Sequence, residues 1–175
     1  KEINQMPKVL ISDQMDRKAA EVFRANGIEV DEKPGLSKEE LKAIIGDYDG
    51  LAIRSATKVT KELLDAATNL KVVGRAGIGV DNVDIAAASA KGVVVMNTPF
   101  GNSITTAEHA IALMFALARE LPQADVSTQS GKWEKNRFMG VELTGKTLGL
   151  IGAGNIGSIV AERALGLRMR GLAHD

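Results

Sequence analysis

The sequence predicts an α/β fold with a parallel sheet, because strand-like and helix-like segments alternate along the chain. Five short apolar runs bounded by turn residues indicate strands, and a helix signal follows each run. The runs cover residues 9–12, 28–30, 51–54, 72–75 and 93–97. Five parallel strands with helices on their faces form a complete small domain, which we place at residues 6–99.

Polar residues ahead of the apolar-periodic segments predict where the helices of this domain begin. The clearest signal is a capping box formed by Ser37 and Glu40, with Leu36 and Leu41 at the hydrophobic-staple positions. The other candidate N-caps are Asp16, Thr60 and Asp84, and the glycines expected to stop helices are Gly27, Gly46 and Gly92.

A second region, residues 100–175, opens with a different element. Apolar residues at helical spacing predict one long helix over residues 103–121, with Thr105 and Glu108 as a capping box in its first turn. Its apolar band is wide, which indicates burial on two sides, between two domains or two subunits. Pro122 then predicts a turn into a polar stretch, residues 123–137.

The composition excludes several classes of function. Lys+Arg and Asp+Glu each total 22, so no bulk charge favours nucleic acid or membrane surfaces. The absence of cysteine excludes disulfides and thiolate metal sites, fits a cytoplasmic protein, and leaves no metal site predicted. No apolar run approaches the roughly 20 residues of a membrane span.

A glycine-rich turn near the end of the sequence matches the dinucleotide fingerprint G-x-G-x-x-G at Gly152, Gly154 and Gly157. A strand at residues 147–151 precedes it, and a helix follows. The glycines allow a tight turn, a close approach of the pyrophosphate, and close helix–strand packing, in that order. A second strand then delivers Asp175, whose carboxylate suits both ribose hydroxyls and repels a 2′-phosphate, so NAD is favoured over NADP.

This second domain carries two strands and one helix after the long helix. Such a set cannot cover both faces of a parallel sheet. We therefore expect the sequence to be part of a longer protein, with a Rossmann domain that has only begun.

Two arginines follow neighbouring strands. Arg54 and Ser55 come after the third strand, and Arg75, Ala76 and Gly77 end the fourth. The carboxyl ends of parallel strands are where open α/β sheets bind ligands, and the guanidinium fork suits carboxylates and phosphates. The alternative is that both are ordinary surface arginines paired with nearby acids.

Six segments together resemble the D-isomer-specific 2-hydroxyacid dehydrogenases, over about residues 8–175. They are KVLISD, GLAIRSATKVT, LKVVGRAGIGVDNVDI, VVMNTPFGNS, GKWEKNRFMG and LTGKTLGLIGAGNIGS. The resemblance implies a flavodoxin-like substrate domain at 6–99, completed by a later segment, with the NAD domain inserted between the two parts. Several segments resemble the members that oxidise 3-phosphoglycerate to 3-phosphohydroxypyruvate with NAD, the first step of serine biosynthesis.

The same resemblance implies roles for single residues. Backbone N–H groups of residues 75–79 would bind the substrate carboxylate, and Asn102 would line the cleft. The backbone at Ile78 would lie near the nicotinamide, and Asn155 and Ile156 would contact the pyrophosphate.

No catalytic residue is assigned within this sequence. The family uses an arginine, a glutamate and a histidine from the second half of the NAD domain, which would follow Asp175. The two histidines present, His109 and His174, do not match that position. The 175 residues alone are therefore expected to be inactive.

Trp133, the one tryptophan of the sequence, lies among charged residues in GKWEKNR. A tryptophan in such a setting favours an anchoring contact over a solvated loop. The resemblance implies that the region from Ser103 to Arg137 holds a partner subunit, in a homodimer or tetramer.

Two other functions stay open. A sister enzyme acting on glyoxylate, hydroxypyruvate or another 2-hydroxy acid would share these motifs. A non-catalytic NAD-binding interaction module would share the fold, and a downstream arginine, glutamate and histidine would separate it from an enzyme.

Overall fold

The computed structural model describes residues 6–175. These residues form two compact units, the first ending at Gly101 and the second running from Asn102 to Asp175. The sequence placed a domain boundary at residue 99. Among the described residues, none of the helices combines the length and apolar character that crossing a bilayer requires.

Unit 1 is built on a five-stranded parallel sheet in the order β2-β1-β3-β4-β5. The strands are β1 (Lys8–Ile11), β2 (Glu29–Glu32), β3 (Gly50–Ile53), β4 (Val72–Arg75) and β5 (Val94–Asn97). The chain moves outward from β1 to β2 and then returns across β1 to β3. The predicted α/β fold with a parallel sheet is confirmed, and the order reverses direction between β1 and β3.

The helices of unit 1 begin directly after the four residues that the sequence predicted as N-caps. They are α1 (Arg17–Ala25), α2 (Lys38–Ile44), α3 (Lys61–Ala66) and α4 (Ile85–Ala90). Each cap side chain accepts a hydrogen bond from the first turn, and Ser37 with Glu40 forms the full capping box. One detail was wrong: α2 ends at Ile44, because a 3-10 turn (Ile45–Asp47) takes up Gly46.

Two separate apolar clusters lie on opposite faces of this sheet, and both include residues of the central strands β1 and β3. The larger cluster lies on the side of α2, α3 and α4, and its fully buried members include Leu10, Leu51 and Ile53. The smaller cluster lies on the side of α1 and contains Ile11 and Ala20. This double coverage fixes β1 and β3, so the loops that leave their carboxyl ends extend from a rigid base.

Unit 2 consists of α5 (Ser103–Ala118), α6 (Leu121–Gln129), β6 (Thr147–Ile151), α7 (Asn155–Gly166) and β7 (Arg170–His174). The two strands pair in parallel, as expected for the beginning of a Rossmann domain. Residues from α5, β6 and α7 line an open, largely apolar pocket of about 590 Å³.

Two predictions about the first half of unit 2 were wrong. The long helix over 103–121 ends at Ala118, and Glu120 adopts a left-handed φ of 51° before a new helix. Pro122 does not lead into a polar loop but lies in the first turn of α6. Proline is tolerated there because the first N–H groups of a helix have no intrahelical partner.

The capping box predicted at Thr105 and Glu108 is also absent. The helix begins at Ser103 with Asn102 as N-cap, and no side chain caps it. The Glu108 carboxylate instead accepts a hydrogen bond of 2.9 Å from Arg163 on α7. The Glu108 side chain, which the sequence pattern had predicted to cap the helix backbone, therefore forms a tertiary ion pair with Arg163 instead.

Candidate substrate and cofactor sites

The two arginines predicted to bind an anion lie at adjacent strand ends of unit 1. Ile53, the last residue of β3, is paired in register with Arg75, the last residue of β4. Arg54 follows immediately, so both guanidinium groups extend from the same edge of the sheet. Arg54 and Ser55 are exposed, and Arg75 is half-buried.

The loop that carries Arg54 is held by a buried carboxylate, Asp13, which follows β1. Asp13 is 5% exposed and accepts hydrogen bonds from the Arg54 N–H at 2.6 Å and the Thr57 hydroxyl at 2.6 Å. Burial raises the pKa of Asp13, but the bonds from Thr57 and the Arg54 backbone outweigh it, so the pKa lies below the ordinary value. Asp13 is thus a charged anchor for the β3–α3 loop.

Asn82 braces the same loop from the other side. Its side-chain amide donates hydrogen bonds of 2.7 Å to the carbonyls of both Arg54 and Thr57. Sequence reasoning missed Asp13 and Asn82. A signal for Asp13 existed, because a carboxylate directly after a buried strand lies at the ligand-binding edge of a parallel sheet.

Arg75 packs tightly against its own loop. A Cβ atom at position 77 would meet the Arg75 guanidinium, which lies directly over Gly77 and would have to shift. The Arg75 Nε atom is buried, and no partner for it exists among residues 6–175. Within that range neither Arg54 nor Arg75 forms an ion pair. Two unpaired cations at one edge favour an anion site over ordinary surface arginines.

The loop after β4 offers backbone donors beside these cations. The N–H groups of Ala76 and Gly77 already donate hydrogen bonds to backbone carbonyls, those of Ile53 at 2.8 Å and Arg75 at 3.0 Å. The N–H groups of Ile78 and Gly79 have no acceptor in the described part of the chain. The Asn97 side chain fixes the loop by donating to the Ile78 carbonyl at 2.7 Å. The open donors are therefore those of Ile78 and Gly79.

Asn102 belongs to unit 2 and stands at the N-cap of α5. Its carbonyl accepts the Thr106 N–H at 2.9 Å, while its exposed side chain makes no capping bond. Its role in lining a cleft stays a prediction.

The glycine-rich turn of unit 2 has the backbone that a pyrophosphate requires. Gly152 takes a φ of 95°, in the left-handed region that favours glycine. A Cβ at Gly157 would collide with the Gly152 carbonyl oxygen, so the turn and α7 can pack this closely only with glycine. A Cβ at Gly154 would meet nothing, which leaves the outer side of the turn open.

The start of α7 and the end of β7 complete this site. The N–H groups of Asn155 and Ile156 open the helix and have no acceptor within residues 6–175. The Gly152 N–H donates to the His174 carbonyl at 2.8 Å, which brings Asp175 beside the turn. Free N–H groups, an open glycine and an exposed carboxylate together fit the phosphates and a ribose of a dinucleotide.

Neither histidine side chain is buried in one of these two sites. His109 lies exposed in the middle of α5, and His174 is exposed at the end of β7. The described residues contain no group of three or more side chains able to hold a metal ion.

Trp133 is presented to solvent by a short, locally anchored loop. Its side chain is 84% exposed. The neighbouring Glu134 accepts a hydrogen bond of 2.7 Å from the buried Ser127 and pairs with Arg137 at 3.4 Å. These bonds hold the loop to α6 while leaving the indole without contacts that would bury it.

Several proteins are closely similar in sequence to this chain. It is 53% identical over 168 residues to a D-3-phosphoglycerate dehydrogenase of Archaeoglobus fulgidus, and 52% identical to that of Homo sapiens. Each match covers 96% of this chain and 32% of the relative. The chain thus spans about a third of the length of these curated relatives.

Solved structures agree with the fold. A protein of Thermus thermophilus matches 95% of this chain with a TM-score of 0.88 at 35% identity, and the match covers 55% of that protein. The NAD⁺-bound 3-phosphoglycerate dehydrogenase of Entamoeba histolytica matches 97% with a TM-score of 0.79 at 32% identity, covering 54% of that chain. A sequence model of the D-isomer specific 2-hydroxyacid dehydrogenase catalytic domain matches residues 9–166, and the chain therefore belongs to this family.

Proposed function

We propose that this chain is the substrate domain and the beginning of the NAD domain of an enzyme that oxidises 3-phosphoglycerate to 3-phosphohydroxypyruvate. The names of relatives at about half identity support this substrate. Because the chain spans about a third of the length of these relatives, the proposal is tested on this chain by ligand binding and not by turnover.

The observation that carries the proposal is the pair of unpaired arginines beside two free backbone donors. 3-Phosphoglycerate has two anionic ends, a carboxylate and a phosphate. The open N–H groups of Ile78 and Gly79 suit the carboxylate, and the exposed Arg54 guanidinium can bind the phosphate bidentately. Glyoxylate and hydroxypyruvate have one anionic end, so they would leave one of these cations without a partner.

Arg75 would act on the same substrate from beneath the loop. Its half-buried guanidinium lies against Gly77 and holds positive charge near the donors of Ile78 and Gly79. A cation that is partly removed from water attracts an anion more strongly than a fully exposed one. Arg75 therefore contributes to affinity even where it makes no direct contact.

The glycine turn supports NAD as the cofactor. When bound, NAD accepts the hydride removed from the hydroxyl carbon. In this chain Gly154, Asn155 and Ile156 would hold the pyrophosphate through backbone groups, and Asp175 would hold the ribose hydroxyls. The Asp175 carboxylate would repel a 2′-phosphate, so NADP is expected to bind more weakly.

The substrate site is tested by titrating 3-phosphoglycerate while following backbone amide resonances. Saturable shifts are expected at Ile78 and Gly79. Arg54→Gln should weaken binding at least about tenfold, since a charged hydrogen bond contributes about 1.5–3 kcal/mol. The matched control is Arg170→Gln, because Arg170 is exposed at the start of β7 and forms no ion pair among residues 6–175. Equal loss in both variants would contradict the assignment.

The cofactor site is tested by calorimetric titration with NAD and NADP. Asp175→Asn should weaken NAD binding and narrow the preference for NAD over NADP. Asp125→Asn removes the same charge from an exposed position on α6 and should change neither. NAD affinity that survives Asp175→Asn unchanged would remove Asp175 from the site.

We further propose a homodimer or tetramer held through residues 103–137, with Trp133 as an anchor. The 84% exposed indole and the apolar side chains that α5 exposes, Leu117 among them, support this surface. Light scattering should show a smaller assembly for Trp133→Ala. Phe100→Ala, which removes a 74% exposed aromatic side chain outside residues 103–137, should leave the assembly unchanged. A cytoplasmic location stays a prediction.

The rival function is a non-catalytic NAD-binding module. It predicts NAD binding without saturable 3-phosphoglycerate shifts at Ile78 and Gly79. Binding of both ligands to the chain favours the enzyme.

A further inference from the structure

Unit 1 has a point at which its strand order reverses. The chain passes from β1 to its neighbour β2 and then crosses to β3 on the other side of β1. The loops that leave β1 and β3 therefore diverge to opposite faces of the sheet. In open α/β sheets the crevice between two such loops is where ligands bind.

A cavity lies at this crevice. Its volume is about 640 Å³, and residues from the segments 12–14, 34–38 and 56–60 line its walls. Leu41 and Leu63 also line it. Neither arginine of the proposed substrate site lines it, nor does the loop after β4. A volume of this size lies within the range of small-molecule sites.

The hydroxyl groups of Ser12 and Thr57, on one wall of the cavity, already donate their protons to hydrogen bonds within the protein. Thr57 donates its hydroxyl proton to the ionised Asp13 at 2.6 Å. The Ser12 hydroxyl lies 2.8 Å from that of Thr57 and must therefore be the donor in this contact. The relay Ser12–Thr57–Asp13 leaves no hydroxyl proton on this wall for a ligand anion.

The remaining charged groups of the lining are basic. Lys38 and Lys58 both contribute to it, and neither takes part in an ion pair among residues 6–175. The one carboxylate of the lining, Asp13, already accepts bonds from the β3–α3 loop on both oxygens. The side chains of Leu36, Leu41 and Leu63 also line the cavity and add apolar surface to it.

We propose that this cavity is a second binding site, for a small monocarboxylate with a compact apolar body. The carboxylate would pair with Lys58 and Lys38, and the apolar body would rest on the leucines. The site is separate from the proposed substrate site, but Asp13 and Thr57 line the cavity and also hold the backbone of Arg54. Occupation of the cavity would thereby act on the position of Arg54.

The test uses 3-phenylpropionate as the probe, with amide resonances of the 175-residue chain followed by NMR. Saturable shifts are expected at residues 12–14, 35–38 and 56–58. The neutral analogue 3-phenylpropan-1-ol, which keeps the apolar body, should bind at least about fivefold more weakly, the effect of losing one partly screened ion pair.

Lysine-to-glutamine variants test which lysines bind the carboxylate of the probe. Lys58→Gln and Lys38→Gln should each weaken the probe about threefold to fivefold. Lys42→Gln is the matched control, since Lys42 is exposed on the same helix as Lys38, lies outside the cavity lining and forms no ion pair in the described part of the chain. Unaltered amide spectra of each variant without the probe show that the fold is intact.

Three outcomes overturn the proposal. They are the absence of saturable shifts at millimolar probe, equal affinity for acid and alcohol, and shifts confined to Ile78 and Gly79. The last would place the probe at the strand-end anion site instead. A failure of 3-phosphoglycerate to bind at Ile78 and Gly79 would bear on the proposed function alone.

Discussion

Units 1 and 2 are built from the same parts, parallel strands joined by helices, yet they differ in how much of each strand is covered. All four residues of β3 are buried, whereas all five residues of β7 are exposed. Ile53 and Ile151 both end a strand of their unit, but the first is 0% exposed and the second is 96% exposed. The same apolar side chain is therefore buried in unit 1 and exposed in unit 2.

The difference shows that burial is a property of the neighbours of a strand and not of its sequence. In unit 1, apolar clusters lie against both faces of the sheet at β1 and β3, while three of the four residues of the edge strand β5 are exposed. In unit 2, the described residues supply two strands, and one face of β6 is only half-buried. Among the described residues, the exposure of β7 therefore goes with the small number of elements that cover it.

The largest expected effect compares two leucines. Leu51→Ala should destabilise unit 1 by about 4 kcal/mol, because Leu51 is 1% exposed and its removal leaves a cavity. Leu172→Ala should cost no more than about 0.5 kcal/mol, since Leu172 is 69% exposed. Hydrogen exchange of the β3 and β7 amides measures both. Equal losses would mean that β7 is covered in solution.

The second prediction concerns backbone packing in unit 2. Gly157→Ala should cost about 3 kcal/mol, since the new Cβ meets a backbone oxygen that cannot rotate away. Gly154→Ala, where a Cβ meets nothing, should change the stability by less than about 0.5 kcal/mol and serves as the control. Hydrogen exchange of the α7 amides gives the two values. A tolerated Gly157→Ala would contradict the close approach.

The third prediction tests the buried carboxylate of unit 1. Asp13→Asn should cost about 2 kcal/mol at pH 7, because an amide N–H₂ then faces donors that had been bonded to a charged oxygen. Asp47→Asn, an exposed residue of the same unit, should be neutral. Urea unfolding followed by circular dichroism measures both.

The pH dependence of that penalty has a definite sign. The pKa of Asp13 is lowered in the folded state from the ordinary value of 3.8, so ionised Asp13 stabilises the fold above that value. The contribution is lost as the pH falls from 3.8 through the lower folded pKa. The difference between the wild type and Asp13→Asn should therefore be constant near neutrality and shrink below about pH 4. A penalty that grew on acidification would refute the charged anchor.

The smallest effect compares two helix starts. Ser37→Ala should cost about 1 kcal/mol, because Ser37 caps α2 in a complete capping box. Asn102→Ala should cost about zero by the same principle, because the Asn102 side chain makes no capping bond to α5. Hydrogen exchange of the first amides in α2 and α5 distinguishes the two. A larger loss at Asn102 would show that its side chain caps the helix in solution.

Local signals in the sequence predicted much of this fold. The caps at Asp16, Ser37, Thr60 and Asp84 act between residues two or three positions apart, so nothing distant competes with them. The strands and the parallel pairing also followed from the alternation of elements. Prediction was weakest in the first half of unit 2, where Glu108 pairs with Arg163 and the helix breaks after Ala118.

The candidate sites show the same division. The glycine turn was readable because each glycine answers a local demand of the backbone. Asp13 and Asn82 were missed because their partner, the β3–α3 loop, lies 41 positions along the chain from Asp13 and 28 from Asn82. The cavity between the β1 and β3 loops was also invisible, since three separate segments form it.

The sequence by itself determined the class of fold, the helix starts, the glycine turn and the two arginines at strand ends. All of these depend on residues close together along the chain or on the rule that parallel strands end at one edge. The tertiary structure alone decided which strands are buried, which N–H groups stay free, and that Arg54 is held by Asp13. These depend on contacts between distant segments, whose free energies no local pattern of residues encodes.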